Sequence, residues 1–148
     1  MALTKAVKLE IYSTIEDIGP DGRAEAEAET VREVTDAALT LDADSATVRY
    51  KSEGEGGKVI SAFVLRADGT LTVRRQGAIS SVLEFGAGKI YKTLYEIAPY
   101  KFEVTVKTES IGGSFALPKS ELELIYTMDI GGATRRTRML FSVEEVAT

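Results

Sequence analysis

Apolar residues recur at every second position along most of the chain. On an extended backbone that spacing turns one set of side chains into a core and the other toward water. The clearest stretch sets Tyr100, Phe102, Val104, Val106 and Thr108 against Lys101, Glu103, Thr105, Lys107 and Glu109. A second sets Leu122, Leu124, Tyr126, Met128 and Ile130 against Glu121, Glu123, Ile125, Thr127 and Asp129. It stops at Gly131-Gly132, a dipeptide that accepts the positive φ of a tight hairpin, and a returning strand is expected over 133–144. The same logic pairs 58–66 with 70–75 across Asp68-Gly69, and 80–85 with 89–97 across Gly86-Ala87-Gly88. Val7, Leu9, Ile11 and Ile15 make an opening strand and 47–51 another. Gly19-Pro20-Asp21-Gly22 and the run from Ser52 to Gly57 have turn or loop chemistry.

Residues 23–41 are ambiguous. The AEAEAE run favours a helix, and Ala28, Val31, Thr35 and Ala38 could line one helical face. Against this, no capping box opens the segment, and 34–41 suits an extended run equally well. Nine or ten short strands without a βαβ rhythm predict an all-β barrel or sandwich in one domain, 1–148. Closure is favoured because it removes the exposed edges of long alternating strands.

Composition narrows the chemistry. Hydrophobic residues at 44% and charged ones at 28% are the balance of a globular chain, not of a disordered or membrane-embedded one. A net charge of -5 argues against a surface built to neutralise phosphates, so no nucleic-acid partner is expected. There is no cysteine, hence no disulfide or thiolate chemistry, and no histidine, the residue on which most triads, zinc sites and neutral-pH acid-base pairs depend. No metal, cofactor or catalytic residue is assigned, and an enzyme here would have to work with carboxylates, Lys, Tyr or Arg. The first residues alternate instead of forming a secretory apolar run, and no run approaches eighteen apolar residues. The expectation is a cytoplasmic protein starting near Met1, with no membrane partner.

Arg75-Gln76-Gly77, Phe85-Gly86-Ala87-Gly88, the corner from Tyr95 to Lys101, and Val106-Lys107-Thr108-Glu109-Ser110-Ile111 resemble recurring pieces of the YwiB-like family of uncharacterised bacterial proteins. The resemblance runs from Val7 to Val143 and is strongest between Leu71 and Ile111. The corner departs from the family pattern twice, with Ala98 in place of Thr and Lys101 in place of Gly. The resemblance implies an antiparallel lipocalin-like, or calycin-like, β-barrel of roughly 8–10 strands in meander order, and with it a strand over the ambiguous segment. It implies no activity, since a fold does not carry one.

A barrel of that size holds either its own side chains or one small ligand. Tyr50, Tyr95, Tyr100, Phe102 and Tyr126 are candidates to line a cup, tyrosine offering apolar contact with one polar handle; rings that simply pack the core are the plainer reading. Arg75 is in phase with Leu71 and Val73 and so shares their face. Glu84, in phase with Val82, is its expected carboxylate. Arg75 or Arg138 could instead grip the anionic end of a ligand. Arg135, Arg136 and Arg138 with Arg74 and Arg75 form a basic patch if their strands are neighbours, and Glu25, Glu27 and Glu29 read as a solvated face. SEGEGGK lacks the spacing of a phosphate loop and reads as a hairpin loop.

The leading functional expectation is a non-enzymatic barrel that binds a small apolar or amphipathic molecule. The alternative is a filled barrel whose surface or rim binds a protein partner or forms a homodimer. The third is an enzyme that uses Tyr, Arg and Glu inside the cup.

Overall fold

The computed structural model describes residues 2–23, 28–54, 56–97 and 99–146. Ten strands follow one another in the chain: β1 (Leu3–Ile18), β2 (Glu29–Leu41), β3 (Ser45–Gly54), β4 (Gly57–Arg66), β5 (Leu71–Gly77), β6 (Ile79–Phe85), β7 (Ile90–Ile97), β8 (Tyr100–Gly113), β9 (Lys119–Ile130) and β10 (Ala133–Glu145). Each pairs antiparallel with the next, and β10 returns to β1 over Val7↔Glu145 to Ile18↔Thr134, closing the barrel. The ambiguous segment is strand from Glu29 onward. There the ladder that β1 offers along Leu3↔Leu41 to Ile15↔Glu29 decides for strand, while residues 24–27 of the AEAEAE run lie outside the described residues. Among the described residues there is no helix, and so none long and apolar enough to cross a membrane.

The period-two pattern sorts as expected. Val7, Leu9 and Ile11 of β1, Leu71 and Val73 of β5, Val104 and Val106 of β8, and Leu122 and Leu124 of β9 all point into the core. A bulge between Thr108 and Ser110 shifts the phase of β8, so that Ile111 rather than Ser110 packs against the core. Gly131 and Gly132, at φ 56° and 86°, make the β9–β10 turn. Gly77 has φ 123° beside the Lys58 carbonyl oxygen, where a Cβ would collide with backbone; the third residue of the Arg-x-Gly piece has to be glycine.

The two ends of the barrel differ. At the end holding the β8–β9 loop, Leu9, Leu39, Val48, Leu71, Val106 and Val143 fill the lumen, and Phe115 from that loop is set edge-on to Phe141 at 6.0 Å. At the other end, to which the β1–β2, β3–β4, β5–β6, β7–β8 and β9–β10 connections lead, the described residues leave the lumen open.

The wall has one weak seam. The sequence pairs 80–85 with 89–97 as a hairpin, but the β6–β7 ladder holds only Ile79↔Ile97 and Ser80↔Glu96, remote from the connecting turn. Next to that turn, β8 takes over: the Gly86 amide donates to Thr108 Oγ1 at 3.2 Å, and the Thr108 amide donates to the Lys89 carbonyl at 3.0 Å.

Candidate functional site

The open end is a cup of about 370 Å³, near the lower bound for small-molecule sites. Phe63 and Phe85 border it below. Ile15, Val73, Leu83, Met128, Ile130 and Met139 give it apolar walls, and Ser13, Arg75, Tyr95, Tyr126, Arg135 and Thr137 supply its polar groups. Alternation on β1, β5, β9 and β10 delivers most of these side chains, each in phase with the residues of its strand that fill the closed end, and β6 and β7 add Leu83 and Tyr95.

Aromatic rings separate the cup from the packed half. Tyr50 lies 5.7 Å from Phe63, and Phe63 lies 5.0 Å from Phe141, centroid to centroid. Phe85 and Tyr126 pair at 4.8 Å on the cup wall. Burial pushes the Tyr50 phenol up; the neighbouring Glu33 carboxylate adds to the rise, while the Arg75 guanidinium and the Ser61 hydroxyl oppose it. Burial also pushes Tyr126 up, countered by the Thr137 hydroxyl and again by Arg75. One guanidinium therefore acts on both phenols.

The expected site residues separate into three groups. Arg75, Tyr95 and Tyr126 come together in the cup, and Tyr50 is buried just outside its lining against Phe63. Tyr100 and Phe102 share the phase of Val104 but are 64% and 40% exposed. The β8–β9 pairing ends at Val104↔Ile130, so this part of β8 runs on with β7 beyond the β9 wall, and β6 holds β7 there through Ile79↔Ile97 and Ser80↔Glu96. Glu84 and Arg138 are on the outer face. Glu84 is the register partner of Thr72, one residue out of phase with Arg75, and its carboxylate meets Lys89 Nζ at 3.0 Å; the expected Arg75–Glu84 pair does not form. Arg138 donates to Glu123 Oε2 at 2.8 Å.

The basic patch does not form either, because β5 and β10 are not neighbours and Arg135, Arg136 and Arg138 are matched by Asp17, Glu109 and Glu123. Glu29 is exposed; Glu25 and Glu27, like Ala98 of the corner, lie outside the described residues. The run from Ser52 to Lys58 is the β3–β4 hairpin, with Gly54 opposite Gly57, and its Glu55 is outside the described residues.

Sequence reasoning missed Glu33, Ser81, Met139 and Thr137. The phase of Phe141 carries the last two. Glu33 was hidden by the ambiguity of its segment, and Ser81 shows only through its position opposite Arg75.

A closed antiparallel meander with a cup at one end defines a lipocalin-like barrel. Residues 18–140 match the domain of unknown function DUF1934, and the chain belongs to that family. It is similar to the ywiB protein from Bacillus subtilis, known from a crystal structure, with a TM-score of 0.84 and 20% sequence identity over 97% of this chain and 94% of that one. At this identity the likeness concerns the fold. No curated protein matches the chain.

Proposed function

We propose that this protein is a non-enzymatic binding module whose cup takes one small amphipathic molecule. The observation that carries the reading is the cup of about 370 Å³, walled by apolar side chains and holding Arg75 without a carboxylate partner among the described residues. Apolar walls with a few convergent polar groups are the usual composition of a small-molecule site. At about 30 Å³ for each water-sized group, the cup has room for roughly twelve non-hydrogen atoms. Native mass spectrometry of protein purified without denaturation tests the reading. A reproducible adduct of that size is expected, and it should disappear in Met139→Trp, which fills the cup. A bare protein mass, with no uptake of apolar probes by the wild type, would overturn it.

A second reading draws on the end of the β7–β8 hairpin beyond the β9 wall, where Ile97, Tyr100 and Phe102 are exposed. An apolar tip of this kind suits contact with a second copy or a protein partner. Sedimentation at high concentration decides the homodimer version: a concentration-dependent dimer abolished by Tyr100→Ser supports it, and a monomer throughout removes it.

A further inference from the structure

We propose that Arg75 and Ser81 form an oxyanion site at the junction of the cup with an outer groove, and that this site takes the single carboxylate of the ligand. The inference rests on the reading of the cup as a binding site and adds the chemistry of the ligand's head.

Arg75 belongs to two cavities. It lines the cup, and it lines a groove of about 410 Å³ on the β6–β7 seam, together with Ser80, Ser81, Thr93 and Glu96. The β6–β7 ladder ends at Ser80↔Glu96, so Ser81 is the first β6 residue beyond it. On the other side of β6, Ser81 is the register partner of Arg75, which places the two side chains on one face as cross-strand neighbours.

Both groups lack a partner. Ser81 is 6% exposed, and its Oγ makes no hydrogen bond within the described residues. Arg75 is half-buried and, within the described residues, enters no ion pair or side-chain hydrogen bond, in contrast to the paired Arg135, Arg136 and Arg138. A buried hydroxyl and a half-buried guanidinium without acceptors are costly arrangements. One oxyanion satisfies both, accepting two N–H groups from the planar fork and the hydroxyl proton of Ser81.

The charge balance selects a monoanion. Of the two guanidinium groups that line the cup, Arg135 is paired with Asp17, which leaves the single positive charge of Arg75 among the described residues; Glu96 of the groove lies 3.9 Å from Lys101 Nζ. A phosphomonoester dianion would exceed it. The body of the ligand would then extend between Met128 and Met139, whose thioethers pack well on aromatic rings.

Calorimetric titration of the intact chain with 2-naphthoate and its neutral counterpart 2-naphthylmethanol tests the assignment. The wild type is expected to bind the acid at least about tenfold more tightly than the alcohol, the scale of a charge-assisted hydrogen bond. Arg75→Gln should weaken the acid by about 10–100-fold and leave the alcohol unchanged. Ser81→Ala should weaken the acid by about three- to tenfold while raising the melting temperature of the free protein, because it removes an unpaired buried hydroxyl. Arg138→Gln should change neither ligand. Equal affinity of the wild type for acid and alcohol would overturn the oxyanion site and leave the cup as a binding site; no binding of either would overturn both. Tighter binding of 2-naphthyl phosphate than of 2-naphthoate would overturn the choice of a carboxylate. The wild-type comparisons stand whether or not a variant folds.

Discussion

Phe63 of β4 and Phe141 of β10 meet across the barrel, with ring centroids 5.0 Å apart and planes tilted by 59°. Their strands are not neighbours in the sheet, so the contact spans the lumen, and both rings are fully buried. This pair decides how much of the barrel is core and how much is cup. Phe63→Ala or Phe141→Ala should lower stability by about 3–5 kcal/mol through lost burial and the cavity left behind. Urea denaturation measures the loss. Phe63→Ala should also enlarge the cup and admit longer apolar probes than the wild type takes.

The two buried phenols make stability fall in alkali. Tyr50 and Tyr126 hold their protons more firmly in the folded chain than in the unfolded one, where phenols ionise near pH 10. Below about pH 10 both states carry these protons and stability is independent of them. Above it the unfolded state loses its protons first, and stability falls with rising pH until the folded phenols ionise as well. Near-ultraviolet titration should show Tyr50 and Tyr126 ionising above the ordinary phenol range. The double variant Tyr50→Phe and Tyr126→Phe should flatten the alkaline decline. Because Arg75 lowers both phenols, Arg75→Gln should delay their ionisation further.

Glycine is required to different degrees at two turns. Gly77→Ala sets a Cβ against the Lys58 carbonyl at a φ that L-residues avoid, and should cost about 1–3 kcal/mol. Gly131→Ala meets open space at φ 56°, within the left-handed region, and should cost about 1 kcal/mol. Thermal denaturation of the two variants side by side checks the order.

The ion pairs on the outer face contribute little. Arg138 and Glu123 meet at 2.8 Å, but their side chains are 62% and 41% exposed, and solvent screens the pair. Arg138→Gln, Glu123→Gln and the double variant should each lie within about 1 kcal/mol of the wild type, with a coupling near zero in a double-mutant cycle at high salt.

The strands and their faces were legible because alternation is unbroken over most of the chain, and the motif glycines and turn dipeptides marked the ends. Arg75 could be assigned to the interior from Leu71 and Val73 alone. Its partner could not. On β6 the apolar Val82 faces outward while the small polar Ser81 faces in, so following the apolar residue placed Glu84 on the wrong face. Arg138 misled for the same reason: the inward set on β10 is Thr137, Met139, Phe141 and Val143, in which a polar residue again hides the phase. Tyr100 and Phe102 had the right phase, but phase does not report where a neighbouring strand stops. Register between strands, and the two-pair seam it leaves between β6 and β7, arises from tertiary pairing and has no local signature.

The closure of β10 onto β1 also governs how the chain finds its fold. Arg135 reaches Asp17 across 118 positions of sequence, and every rung of that ladder brings together segments from opposite ends of the barrel-forming chain. The hairpins along the meander are local and cheap to close, but the final seam carries a large loop-closure entropy and is rewarded only once the meander is in place. Folding should therefore be slow for a chain of this size, and a ribosome-bound chain lacking β10 would hold β1 with one bare edge.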